Sequence, residues 1–231
     1  MPWYRAHRRN LPWRRTTDPY RVLVSEIMLQ QTQVDRVLPK YREFIRKYPS
    51  IAALAAASVD AVRETWVPLG YNIRPVRLHA IARRIVDEFS GRVPDDRAAL
   101  LALKGIGPYT AGAVLSFAYK RRAPIVDTNV RRVLQRVFYG RSTQPDSTLW
   151  RLARVLLPQR SAYDFNQGLM ELGATVCVAR RPRCAICPLR SLCRAYPAFA
   201  REARRPKGGA LGARASSRGA SRGTSRKGTA A

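Results

Sequence analysis

Apolar residues recur at helical spacing along most of the chain. In 19–28, Tyr20, Leu23, Val24, Ile27 and Met28 fall at i, i+3, i+4, i+7 and i+8, one stripe of an α-helix. Asp18-Pro19 just ahead supplies an N-cap and a proline for the first helical position. A second stripe follows a capping Thr32: Val34, Val37, Leu38, Tyr41, Phe44, Ile45 and Tyr48. The stretches 51–57 and 59–66 predict two short helices. A longer one spans 73–89, with Ile81, Ile85 and Phe89 on its inner side. Asp95 opens a helix through Leu103, and Pro108 opens the next, to Tyr119. Further helices fit 128–138, 146–157 and 163–174. Strand-like alternation is missing throughout, so the pattern predicts an all-α fold.

The length of 231 residues suits one large domain or two small lobes around a real core. Charge changes the picture more. Lys and Arg number 43 against 15 Asp and Glu, a formal +28. Such an excess opposes compaction and calls for a polyanion, nucleic acid before an anionic membrane surface. Residues 201–231 carry nine Lys/Arg and one Glu among Gly, Ala, Ser and Thr, which predicts a disordered basic tail. Residues 1–200 still hold +20. No run of 18 apolar residues exists to span a membrane, and Met1–Asn10 lack a signal peptide's apolar core. The expectation is a cytoplasmic protein whose cysteines are ligands rather than disulfides.

Three local patterns carry candidate chemistry. "LKGIGPY" at 103–109 places Gly105 and Gly107 around one apolar residue, ahead of a helix-starting proline. This is either a plain helix–helix turn or a phosphate clamp built from backbone amides, and the basic core favours the clamp. All four cysteines fall in Cys177-x6-Cys184-x2-Cys187-x5-Cys193. The spacing suits tetrahedral zinc or a [4Fe–4S] cluster and does not choose between them. Arg180, Arg181 and Arg183 lie in the loop between the first two, suited to phosphate contact. Glu26 sits at the shoulder of its helix's apolar stripe, where burial would raise its pKa and keep a proton available, unless an arginine pairs with it.

Taken in order, the Glu26 helix, the Gly105–Gly107 hairpin, "VDTNV" at 126–130 and the cysteine spacing resemble the helix-hairpin-helix DNA glycosylases that carry an iron–sulfur cluster. The resemblance covers roughly residues 3–195. "NLPWR", "DPYRVLVSEIMLQQTQV" and "FNQGLMELGATVC" are most similar to the MutY-type adenine glycosylases. It implies two helical lobes with a DNA groove between them. One is a six-helix barrel over 15–121; the other is a cluster lobe of 1–14 and 122–200. It also implies a [4Fe–4S] cofactor on Cys177, Cys184, Cys187 and Cys193. The expected partner of this monomer is double-stranded DNA with a mismatched or damaged base.

By the same resemblance, Glu26 protonates a flipped base and helps position water, while Asp127 stabilises the sugar cation and doubles as an N-cap. Two carboxylates in these roles are what glycosidic hydrolysis requires. Gln31 and Tyr71 wedge into the gap that the flipped base leaves, and Trp13 lines the base pocket. Two departures matter. Where bifunctional relatives have a nucleophilic lysine, this chain has Tyr109, so a monofunctional hydrolase is expected; Lys104 is near but lies inside the hairpin. Adenine glycosylases usually have serine there, and tyrosine is a feature of thymine/G-mismatch enzymes. Adenine opposite guanine or 8-oxoguanine is thus the leading substrate, and thymine or uracil opposite guanine the alternative. A non-enzymatic DNA-binding module is a third reading, disfavoured by the two carboxylates. Full-length adenine glycosylases carry a C-terminal domain that reads 8-oxoguanine, where this sequence has a short basic tail, so 8-oxoguanine recognition is expected to be weakened or handled by the core alone.

Overall fold

The computed structural model describes residues 2–70 and 73–204. In chain order its helices are α1 (Pro2–His7), α2 (Pro19–Met28), α3 (Val34–Lys47), α4 (Ile51–Ala56), α5 (Val59–Trp66), α6 (Ile73–Phe89), α7 (Arg97–Ala102), α8 (Pro108–Phe117), α9 (Thr128–Leu134), α10 (Asp146–Leu156), α11 (Ala162–Thr175) and α12 (Tyr196–Arg204). No strand occurs among the described residues, as the apolar pattern predicts.

Side-chain caps explain several of the helix starts. The Asp18 carboxylate accepts from the Tyr20 and Arg21 amides at 2.9 and 3.3 Å, with Pro19 entering the first turn. Ser50, Ser58 and Asp96 cap α4, α5 and α7 in the same way. Two expected caps are corrected. Thr32 does not cap α3; Gln33 holds that position without a side-chain bond, and the Thr32 hydroxyl donates to the Gln30 carbonyl. Asp96 rather than Asp95 caps α7. The helix expected over 128–138 gives way after Leu134 to a π-helical segment, Gln135–Tyr139.

α2 is the centre of the molecule. It packs on α3, α6 and α8, and every residue from Val22 to Met28 is buried. The stripe read from the sequence is therefore one side of a helix enclosed all round. α4 and α5 lie against α6, and α7 against α8. The later helices form a second set. α9 packs on α10 and α11, α1 on α11, and α11 reaches back to α8. One apolar core runs through both sets, from Leu23, Phe44 and Leu78 to Val130, Leu134 and Leu149. A satellite cluster of Val133, Val137, Leu172 and Val176 lies under the cysteine loop. α12 touches that loop and continues past residue 200, so the boundary expected there falls inside a helix. Residues 205–231, most of the expected tail, lie outside the described residues.

Candidate active site

A cleft of roughly 900 Å³ opens between the two helix sets, lined by Glu26, Gln31, Tyr109, Asp127 and Trp13 among others. Glu26 reaches it from the last turn of α2 and is only 3% exposed. Burial pushes its carboxyl up to about 7, further raised by Asp127 and opposed by a hydrogen bond from Tyr109 and by the charge of Arg14. The Tyr109 hydroxyl donates to Glu26 Oε2 at 2.6 Å, from the first turn of α8. Burial, then the Glu26 charge, holds this phenol well above its ordinary value, so it stays a donor. No ion pair of Glu26 is formed among the described residues.

Asp127 is the N-cap of α9. Its Oδ1 accepts from the Val130 amide at 2.7 Å and its Oδ2 from Asn129 Nδ2 at 2.9 Å. Burial raises its pKa, and these hydrogen bonds oppose the rise. Asn129 is held in turn by Arg132, whose Nη2 donates to Asn129 Oδ1 and to the Gly173 carbonyl, both at 2.7 Å. Arg132 Nε also donates to the Cys177 carbonyl at 2.7 Å. A side-chain chain thus joins Asp127 to the cysteine loop. Gly173 makes this possible: a Cβ there would stand 2.7 Å from Asn129 Cβ and 2.9 Å from its backbone oxygen.

Behind the cleft, Glu171 is wholly buried. Arg9 Nε binds its Oε1 at 2.8 Å and Arg14 Nη2 its Oε2 at 2.7 Å. Burial opposes ionisation there, but the two guanidiniums hold the carboxyl below its usual value. Arg14 Nε also donates to Gln167 Oε1 at 2.9 Å, fixing another cleft-lining side chain. Charge and spacing gave no sign of this network, because its two arginines stand more than 150 residues from Gln167 and Glu171 in a chain full of arginines. Trp13 is buried at the cleft wall, edge-on to Tyr41.

Gln31 is exposed at the cleft rim in the left-handed region, φ +55°. Tyr71 lies outside the described residues. Of the hairpin glycines, Gly105 needs its freedom, with φ +107°; Gly107 has an ordinary extended φ and caps α8. Lys104 is exposed, and no lysine lines the cleft among the described residues. Arg180, Arg181 and Arg183 are all exposed on the cysteine loop, and none of them lines the cleft.

The four cysteines form no disulfide and line one cavity, walled by Val133, Val137, Leu172 and Val176 and covered by Tyr196 and Phe199 of α12. Among the described residues no three His, Cys, Asp or Glu side chains converge closely enough for a single metal ion. The four thiols share one apolar-walled cavity, a donor set that fits a thiolate-bound metal centre. Burial and neighbouring thiols push Cys184 and Cys187 up, so ionising them calls for a cationic centre between them. Arg136 of the π-helical segment donates to the Cys177 sulfur at 3.5 Å and to the Val178 carbonyl at 2.8 Å, clamping the loop.

Comparison with known proteins agrees. Residues 24–159 match the HhH-GPD superfamily base excision DNA repair proteins, and residues 177–193 match the iron–sulfur binding domain of endonuclease III. The cysteine loop therefore carries the binding motif of an iron–sulfur cluster, and the cofactor is a [4Fe–4S] centre. The chain is 50% identical over 197 residues to an adenine DNA glycosylase of Mycolicibacterium smegmatis, covering 84% of this chain and 67% of that one. It is 40% identical to a thymine/uracil-DNA glycosylase of Pyrobaculum aerophilum, covering 82% and 86%. A solved thermostable thymine-DNA glycosylase superposes with a TM-score of 0.80 at 35% identity, over 85% of this chain and 93% of that one. The chain spans about two thirds of the length of the bacterial adenine glycosylases it matches and about two fifths of the mammalian ones. With the hairpin, the cleft carboxylates and the cluster loop in one all-α frame, the chain belongs to the helix-hairpin-helix superfamily of base excision DNA repair proteins.

Proposed function

We propose that the chain is a monofunctional DNA glycosylase that removes adenine mispaired with guanine or 8-oxoguanine from duplex DNA. The observation that carries this is the buried Glu26–Tyr109 pair, sharing a cleft with Asp127. At about 7, the Glu26 pKa leaves a large fraction protonated at neutral pH, as a general acid needs. Tyr109 occupies Oε2, so the acidic proton resides on Oε1, free to meet a base nitrogen. As the base takes that proton, the C1′–N bond breaks and its electron pair leaves with the base. The sugar becomes an oxocarbenium-like cation, which the partly desolvated Asp127 carboxylate stabilises. Water then adds to C1′, and its proton returns to Glu26. A lysine-free cleft supports water, not an amine, as the nucleophile.

On this reading DNA lies between a barrel of residues 15–121 and a cluster lobe of 1–14 and 122–200, and the protein acts as a monomer in the cytoplasm. No helix among the described residues is long and apolar enough to cross a membrane. Gln31, at the rim, enters the stack as the base leaves, with Tyr71 as the second wedge. The Gly105–Gly107 hairpin and the first turn of α8 bind a phosphate through backbone amides. A Cβ at Gly107 would meet nothing within 4 Å in the protein, so an approaching backbone phosphate is what a side chain there would obstruct. Arg180, Arg181 and Arg183 hold phosphates on the far side of the cluster.

The test incubates purified protein with duplexes containing A:G, A:8-oxoG, T:G and U:G pairs, with and without alkali. Abasic sites from the adenine duplexes, broken only by alkali, are expected. Product from T:G and U:G alone would establish the second reading, which Tyr109 and the likeness to the Pyrobaculum enzyme favour. No product from any duplex would leave a DNA-binding module.

A further inference from the structure

Among the described residues Arg74 is the sole lysine or arginine that is buried, at 4% exposure in the first turn of α6. Burying a guanidinium is costly unless its donors are met. Here Nη1 donates to the carbonyls of Ile27, Met28 and Gln30 at 3.2, 2.8 and 2.6 Å. Nη2 donates to Thr32 Oγ1 at 3.0 Å and to the carbonyls of Leu69 and Gly70, both at 3.1 Å. The guanidinium also lies 5.4 Å from the centre of the Trp66 ring. Two groups of acceptors are thereby tied to one cation. The first is the negative end of α2 and the turn after it. The second is the turn that precedes residue 71.

Gln31 stands between two of those acceptors and carries the unfavourable φ of +55°. Such a conformation persists in a non-glycine residue only when its surroundings enforce it. Arg74 supplies that enforcement by holding the flanking Gln30 carbonyl and Thr32 hydroxyl. From the other side Arg36 Nη2 donates to the Pro68 carbonyl at 2.7 Å, so the 67–70 segment is fixed twice.

We infer that Arg74 is a positioning residue for base extrusion: it locks the 28–32 and 69–70 turns into one rigid unit, so that Gln31 meets the duplex in a fixed conformation at the cleft rim. This rests on the proposed glycosylase reading. Lysine cannot do the same, because one ammonium has three donors and no planar fork to span both turns.

The test compares unaltered protein with Arg74→Lys and the milder Thr32→Val, each first shown by circular dichroism to be folded. Stack opening is followed by fluorescence of 2-aminopurine placed beside the mismatch. Single-turnover cleavage is measured on a paired A:8-oxoG duplex and on one whose adenine faces an abasic site, where extrusion costs little. Arg74→Lys should weaken the fluorescence rise and slow the paired duplex at least about tenfold, while the abasic-opposed duplex loses no more than about threefold. Thr32→Val should shift both readouts the same way, by less. Equal losses on both duplexes, or unchanged fluorescence, would overturn the inference. Fluorescence reports stack opening whichever base is excised. A protein that opens the stack but releases no adenine would therefore contradict the substrate reading and leave Arg74 to be judged by the fluorescence alone.

Discussion

At the residue scale the account rests on Glu26. Its folded-state pKa of about 7 lies above the ordinary 4.5, so the native state keeps a proton that the unfolded state has released. Glu26 therefore costs stability as pH rises from 4.5 to about 7, and above 7 that cost, roughly 3 kcal/mol, is fully present. Glu26→Gln keeps an acceptor for Tyr109 without the buried charge. Calorimetry should show this variant more stable than the unaltered protein at pH 8 and little different at pH 4.5. Equal stability at pH 8 would mean that Glu26 is solvated. Tyr109→Phe removes the hydrogen bond that holds the Glu26 pKa down. The alkaline limb of its pH–rate profile should move to higher pH; a shift to lower pH would contradict the assigned bond.

Residue roles were unevenly legible in the sequence. Glu26 and Asp127 stood out because acids are scarce in so basic a chain and both fall in motifs. The raised Glu26 pKa followed from its place on an apolar stripe. Tyr109 was expected to affect base choice, and the structure adds its bond to the Glu26 carboxyl. Arg74 and the Glu171 pairs with Arg9 and Arg14 were invisible, since an arginine among 43 basic residues reads as surface charge. Only tertiary contact reveals which arginines are enclosed.

At the element scale, periodicity located most helices but understated how far α2 is enclosed. A stripe marks the face that must be buried, and cannot say whether neighbours also cover the opposite one. The π-helical turn after Leu134 left no apolar signature, yet it carries Arg136 to the cysteine loop. The contact of α9 with α11 depends on Gly173. Gly173→Ala should force the helices apart, cost about 1–3 kcal/mol in denaturant titration, and slow catalysis by displacing Asn129 from Asp127. An alanine variant of unchanged stability and rate would show that α9 yields freely. Cys187→Ser should abolish the visible absorption of the cluster and speed tryptic cleavage after Arg180, Arg181 and Arg183. Unchanged proteolysis would mean that α12 and Arg136 hold the loop without the cluster.

At the scale of the whole molecule, charge and cleft act together. A chain of +28 should bind duplex DNA with affinity that falls steeply with salt. Deleting 205–231 removes seven of its positive charges and should flatten that slope without changing which base is released. An unchanged slope would place the tail away from the phosphates. The domain plan followed from the family likeness rather than from any linker, because one apolar core continues across both helix sets.

The central claim, that Glu26 supplies the proton that releases a mispaired adenine, is met most directly by single-turnover release of free adenine from an A:8-oxoG duplex across pH. The account predicts a rate that is level in mild acid, falls above about pH 7 as Glu26 ionises, and drops by about 10²–10⁴ in Glu26→Gln. Adenine release by Glu26→Gln at the unaltered rate, or a rate that rises through pH 7, would contradict it.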